Sequence, residues 1–281
     1  MTIPLITGPL PALVDPRHAA AMSDTLARIA QGKLPATAQW IGDAVERRTL
    51  YPVERGVAVI AVHGLLVPYL DYVGWPWATG YNVLRLQLEQ AFQDPEIRGV
   101  LLHVNSGGGY ASGCFDLVDW MAVAKEPAGK PIAAVVDDAC YSAAYAIASA
   151  ADSIACPRVG GVGSIGVVTL HLDVSAALEK QGYKVTVIRG GAHKTDGNPY
   201  EPLPPDVLAD FTAEVEDLRT LFISTVARNR ASLGLTEEIA GATEARAYSG
   251  PTRLAEALRL RLADAVASPD VAATAFINHC N

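Results

Sequence analysis

Cysteine is scarce in this sequence and unpatterned. The four residues Cys114, Cys140, Cys156 and Cys280 form no C-x-x-C pair. They read as free thiols in a reducing compartment, and a zinc site is not expected. No window holds ~18 uncharged apolar residues, which excludes a transmembrane helix. The opening MTIPLITGPLPALVDPRH has neither a basic n-region nor a compact apolar h-region. No export signal is expected there, and a cytoplasmic location follows. Positive charge is in the minority, with 22 Lys+Arg against 30 Asp+Glu and a net charge of −8. Nucleic acid, which favours a basic face, is therefore not an expected partner. Internal repeats and low-complexity tracts are absent as well.

What is present is a chain able to build a core. Half of the 281 residues are hydrophobic, only 19% are charged, and the mean hydropathy is +0.21. That composition excludes disorder, and the length allows one large domain or two small ones. Residues 1–52 are punctuated by proline and read as an N-terminal helical arm. Ser23 is placed to N-cap a helix over 24–31, and a second helix is expected over about 37–48. From residue 53 onward the pattern is that of a single larger domain, 53–281. GVAVIAV (56–62), RGVLLHV (98–104), PIAAVV (131–136) and YKVTVI (183–188) are short, apolar, β-branched runs. Near-continuous runs of that length suit strands buried on both faces. Helical stretches at 80–93, 111–125, 142–150 and 173–181 lie between them, a longer helix is expected over 205–231, and a late strand near 262–266. Strands alternating with helices predict an α/β fold of βαβ units with a mostly parallel, twisted sheet.

In such a sheet ligands bind beyond the carboxyl ends of the strands. The segments there are NSGGGYASG (105–113), DDACYSAA (137–144), PRVGGVGSIG (157–166) and RGGAHKTDGNPYEP (189–202). Three consecutive glycines at 107–109 exceed what a turn needs, and they allow backbone N–H groups to face a ligand closely. Gly161, Gly163 and Gly166 spell G-x-G-x-x-G, yet a dinucleotide fingerprint must open a helix. Here the segment runs into IGVVTLHL, and no acidic residue follows at ribose-binding distance.

Ser142 opens a run of alanines at the start of a predicted helix. It reads equally as an N-cap or as a nucleophile backed by the helix's free N–H groups, that of Ala143 among them. A serine nucleophile needs a base. One candidate is His171, with Asp173 as its carboxylate in a Ser-His-Asp arrangement. The other is Lys194, which acts as a base only where burial keeps its amine neutral.

Taken together these stretches resemble the signal peptide peptidase A family of serine–lysine peptidases, in particular its tailed-phage branch, the prohead protease or minor capsid protein C group. VNSGGG is similar to the family's oxyanion loop D-S-P-G-G, with Asn105 for the Asp and Gly107 for the Pro. CYSAAYAIASAAD matches the nucleophile helix, GSIGVV (163–168) the segment after it, and HKTDGNPYEPL (193–203) the stretch that carries the lysine. ARAYSGPTRLAEALRLRLADAV resembles the closing segment, and the likeness spans about residues 55–267.

The resemblance implies a ClpP/crotonase-type fold and a serine endopeptidase. Ser142 is then the nucleophile, Lys194 the base, and the N–H groups of Gly108 and Ala143 the oxyanion hole. No metal or cofactor is called for. The resemblance further implies scaffold, portal or capsid proteins as substrates inside a phage prohead. It also implies a homo-oligomer in which Lys194 is supplied by an adjacent protomer. Two other readings stand beside it. One is a ClpP-like triad peptidase using His171. The other is a non-hydrolytic, crotonase-like binder of acyl groups in which Ser142 is incidental.

Overall fold

The computed structural model describes residues 12–14, 27, 37–47 and 50–281. Its strands are β1 (Ala12–Val14), β2 (Gln39–Trp40), β3 (Val53–Glu54), β4 (Val57–Val67), β5 (Tyr72–Val73), β6 (Ala78–Gly80), β7 (Gly99–Tyr110), β8 (Ile132–Tyr141), β9 (Ser153–Cys156), β10 (Gly161–Gly163), β11 (Ala247–Ser249) and β12 (Ala265–Val266). Its helices are α1 (Ile41–Arg47), α2 (Tyr81–Gln93), α3 (Cys114–Ala128), α4 (Ala143–Ser149), α5 (Ser175–Lys180), α6 (Pro205–Asn229), α7 (Glu237–Ala242), α8 (Gly250–Arg259) and α9 (Pro269–His279).

The main sheet runs β11-β10-β8-β7-β4-β3, with β1 beside β7, β6 beside β4, and β9 between β8 and β12. Its central pairs are parallel: β4 with β7, β7 with β8, and β8 with both β9 and β10. This is the mostly parallel α/β architecture that the alternation of apolar runs and helices predicts. β8 is the hub. β9 pairs with its first half, at Ala133–Val135, and β10 with its last three residues, at Ala139–Tyr141. The glycines at the end of β7, the Ser142 turn that ends β8 and the glycine segment after β9 therefore converge at one end of the sheet.

The main core lies between the sheet and helices α2, α3, α4 and α6. Ile60, Val62, Leu84, Leu102, Val118, Ile147 and Phe222 are buried in it. Helix α4 stands apart because all seven of its residues are buried. Only a helix of mostly small side chains fits that position. A smaller core gathers Ala44, Leu50, Leu65, Leu70, Val73 and Trp75, so residues around α1 pack on the end of β4. Trp75 belongs to this cluster. Trp77 packs against its margin.

Several expectations are refined and one is overturned. The expected helix over 24–31 lies outside the described residues apart from Ala27. The helix expected over 37–48 is a two-residue strand followed by α1. Strands β4, β7 and β8 run past their apolar stretches into the segments expected as loops, because the glycines at 108 and 109 continue to pair with β4. YKVTVI is not a strand. Residues 184–188 have no regular structure, and Tyr183, Val185 and Ile188 are exposed. A strand needs a ladder partner for its backbone, and among the described residues no strand pairs with that segment. All four cysteines are free, three of them buried. Among the described residues no helix is long and apolar enough to cross a membrane.

One ion pair, buried on its arginine side, ties the C-terminal part to the sheet. Arg230 is fully buried; its Nε donates to the Arg261 carbonyl at 2.7 Å and its Nη2 to Asp264 Oδ1 at 2.7 Å. The other oxygen of Asp264 accepts the Ile154 N–H at 2.7 Å. Removing the carboxylate leaves an uncompensated charge in the core, at a cost of about 3–5 kcal/mol. Asp264→Ala is therefore expected to lower the urea midpoint of unfolding by that equivalent, whereas Asp152→Ala, at a partly exposed pair with Lys125, loses less. Equal midpoints for the two variants would contradict this account.

Candidate active site

Ser142 sits at the junction of β8 and α4. Its backbone has φ 55° and ψ −121°, in the left-handed region that a non-glycine residue adopts only where the surroundings hold it there. A serine at a sharp, strained strand-to-helix turn is a recurring device for presenting a nucleophilic oxygen. Two hydrogen bonds fix the turn. The Ser142 N–H donates to the Gly163 carbonyl at 2.8 Å, and the Ser142 carbonyl accepts the Ala146 N–H at 2.9 Å.

Ser142 Oγ makes no capping hydrogen bond to the helix. It is directed instead at the Gly166 carbonyl, at a long 3.5 Å. The N-cap role that sequence alone leaves open is thus not what the hydroxyl does. The side chain is completely buried. Ala143 begins α4, so its N–H is among the first-turn donors without an acceptor inside the helix.

The neighbouring strand brings the triple glycine alongside. In the parallel β7–β8 register Ser106 lies opposite Cys140, two residues before Ser142. Gly108 has φ 110°, and a Cβ built on Gly109 would fall 1.9 Å from the Leu66 carbonyl oxygen. Both positions therefore require glycine, one for backbone conformation and one for strand-to-strand approach. Ser106 locks the loop: its Oγ donates to the Gly64 carbonyl at 2.6 Å and accepts the Gly108 N–H at 3.0 Å. In this state the Gly108 N–H is engaged by Ser106. Asn105 spans the gap to β8, its Oδ1 accepting the Ala139 N–H at a long 3.4 Å.

The third glycine segment also serves the serine. β10 lies beside β8 with Gly163 opposite Tyr141, which is why the carbonyl of Gly163 reaches the Ser142 N–H. Gly163 and Gly166 thus supply backbone acceptors to the turn. Sequence reasoning matched GSIGVV to a family segment without assigning it this role, since no spacing rule singles out a carbonyl acceptor.

Lys194 lies elsewhere in local structure. It is exposed, on a turn that folds on itself, and its amine makes no hydrogen bond or ion pair among the described residues. Asn198 organises that turn. Its Nδ2 donates to the Thr195 carbonyl at 2.9 Å and to Glu201 at 3.1 Å, and its Oδ1 accepts the Tyr200 N–H at 3.0 Å. The asparagine-proline pair in the sequence was the available signal for this. His193 next to the lysine pairs with Asp196 at 2.8 Å, and that hydrogen bond raises its pKa above the ordinary histidine value.

The triad alternative finds no geometry here. His171 Nε2 contacts the Asn198 carbonyl at 3.1 Å. Asp173 accepts the Ser175 N–H at 2.8 Å, and hydrogen bonding to the Ser175 side chain, with that N–H second, holds its carboxyl below the usual range. The carboxylate is occupied in starting α5 and does not orient the imidazole.

Comparisons with known proteins bear on this arrangement. The model of peptidase family S49 matches residues 124–279, a span that includes Ser142, the glycine segment at 161–166 and Lys194. The chain is 37% identical over 223 residues to capsid assembly protease C of Escherichia phage lambda, covering 79% of this chain and 49% of that protein. It is 34% identical over 248 residues to the head-tail preconnector protein GP5 of Enterobacteria phage P21, covering 88% and 48%. The chain therefore spans about half the length of these curated relatives. A putative signal peptide peptidase SppA of Enterococcus faecium is 31% identical over 147 residues, 51% of this chain and 42% of that one. Among solved structures, an enoyl-CoA hydratase from Shewanella pealeana aligns over 82% of this chain and 72% of that chain, with 13% identity and a TM-score of 0.47. With more than half of its residues under the family model, and with the strained serine turn inside the matched span, the chain belongs to peptidase family S49.

Proposed function

We propose that this protein is a serine endopeptidase in which Ser142 is the nucleophile and Lys194 the base, and that it cleaves proteins of a phage head during assembly, in the host cytoplasm or within the prohead. The observation that carries the chemistry is the strained Ser142 turn, whose hydroxyl is free of any capping duty. In this reading the neutral amine of Lys194 takes the Ser142 proton and Ser142 Oγ attacks a peptide carbonyl. The Ala143 and Gly108 N–H groups hold the oxyanion, and water activated by the same amine clears the acyl-enzyme. Gly108 must first turn its N–H away from Ser106 Oγ, a peptide rotation that glycine at positive φ permits. The phage substrates rest on similarity to the phage lambda and P21 proteins.

Family membership alone leaves the delivery of the base open. Ser142 is buried in the core, and Lys194 is exposed on a self-contained turn. The residues leading to that turn carry apolar side chains that are exposed among the described residues, with Leu170 76% and Ile188 93% exposed. Such a surface favours a subunit interface, and an interface also provides the burial that keeps an amine neutral. The reading is a closed homo-oligomer in which Lys194 serves the Ser142 of a neighbouring copy.

Ser142→Ala and Lys194→Ala are each expected to lower the hydrolysis of a denatured protein by at least about 10³-fold with the fold intact, and His171→Ala to change it by less than about threefold. A dead His171→Ala enzyme beside an active Lys194→Ala enzyme would reverse the assignment. For the shared site, Ser142→Ala and Lys194→Ala chains unfolded, mixed and refolded together should regain part of the wild-type activity. If wild type survives that refolding and every mixture stays inactive, each chain carries its own complete site.

A further inference from the structure

Strand β7 has two edges. One is taken by β4 as far as Leu65 opposite Gly108 and Leu66 opposite Gly109. The other is taken by β8, from Val100 opposite Ile132 to Ser106 opposite Cys140. β8 ends at Tyr141, and the chain leaves the sheet at Ser142 to enter α4. The second edge of residues 108–110 is thus vacated just where the nucleophile turn stands.

That edge is filled by the chain itself. Ala12–Val14 run along it antiparallel, with Ala12 opposite Tyr110, Leu13 opposite Gly109 and Val14 opposite Gly108. Gly109 has Leu66 as its partner in β4 and Leu13 as its partner in β1. A residue with partners in two strands has them on opposite edges, so β1 lies on the side of β8, past its end. A polypeptide can bring a carbonyl carbon to Ser142 while pairing with the glycine loop by lying in this same slot. A second observation agrees: Ser142 is 0% exposed, so no substrate reaches it until something moves.

We propose that the free edge of residues 108–110 is the groove that takes substrate as an added strand, and that residues 12–14 occupy it as a plug which the substrate displaces. The proposal rests on the reading of Ser142 as nucleophile. Main-chain pairing is the recognition mode, so the substrate class is polypeptide segments that can adopt an extended strand: unfolded tails and linkers, not helices. The plug is built to be displaced. It pairs through three residues, and Pro11 and Pro16 flank the strand in sequence. Proline has no N–H to give to a ladder, which limits its extension.

Successive residues of a strand turn their N–H groups to opposite edges. Either Leu13→Pro or the double variant Ala12→Pro/Val14→Pro must therefore remove donors aimed at residues 108–110. Each full-length variant is compared with wild type by hydrogen exchange of the 108–110 amides, by hydrolysis of fluorescein-labelled casein, and by labelling with a fluorophosphonate. At least one variant is expected to exchange those amides about fivefold faster, the effect of a lost hydrogen bond, and to hydrolyse casein faster by a similar factor. Unchanged exchange in both variants would overturn the plug. Faster exchange without faster hydrolysis, in protein that takes the label, would show that substrate uses another slot while the nucleophile stands. Wild type and both variants all inert to the label would sink the nucleophile reading, and this proposal with it.

Discussion

The backbone of Ser142 is the constraint on which the rest of the site depends. A non-glycine residue at φ 55° costs roughly 1–2 kcal/mol relative to ordinary conformations, and a free turn would relax. It is held because the helix that follows cannot move. All seven residues of α4 are buried, and full burial of Ile147 alone contributes about 1.5–3 kcal/mol, as much as the strain. The bond from the Ser142 N–H to Gly163 then fixes the approach of the turn to β10. The alanines around the serine follow from the same demand. A helix enclosed by the sheet, α3 and α6 has no room for larger side chains over most of its surface.

The glycines divide this labour among themselves. Gly109 allows β7 to approach β4, where any Cβ would meet the Leu66 carbonyl. Gly108 supplies a backbone that can rotate. Gly163 pairs opposite Tyr141 and turns its carbonyl to the serine. These are three different physical reasons for one residue type. The G-x-G-x-x-G spelling of Gly161, Gly163 and Gly166 misleads for a similar reason: in the dinucleotide fold the glycines open a helix at a phosphate, whereas here Gly161–Gly163 form β10 beside the Ser142 turn.

Much of the fold was legible in the sequence because the core obeys one rule. Continuous apolar runs such as LLHV and AAVV are buried on both faces, and the helices between them pack to within a few residues of the expected bounds. The strand ends were not legible. Glycine is depleted in strands, so a pattern reading stops at Val104, while backbone pairing continues to Tyr110. YKVTVI failed for the opposite reason. Its composition is that of a strand, but composition does not supply a partner edge. Of the candidate site, the motif likeness pointed to Ser142 and Lys194, which lie on a buried turn and an exposed one. The acceptors at Gly163 and Gly166 and the organising Asn198 act through main-chain contacts or a local turn, and those leave little trace in residue identity.

The two halves of the proposed site, the Ser142 turn and the Lys194 turn, are built to different mechanical standards. The serine half is embedded in the core and shares its rigidity. The lysine half is a turn whose hydrogen bonds are mostly its own, with Asn198 bonding to residues 195, 200 and 201. Outside that turn it is tied to the stretch before α5 through His171 and Val174. A base carried on such a unit keeps its local shape wherever the unit docks. Water favours the charged form of an amine, and apolar cover disfavours it. The exposed Leu170, Leu172 and Ile188 travel with the same unit and can provide that cover on docking. On the function proposed above, such an arrangement would tie the chemistry to assembly: the Ser142 turn is shaped by folding, and Lys194 would gain its role from the contact that buries it.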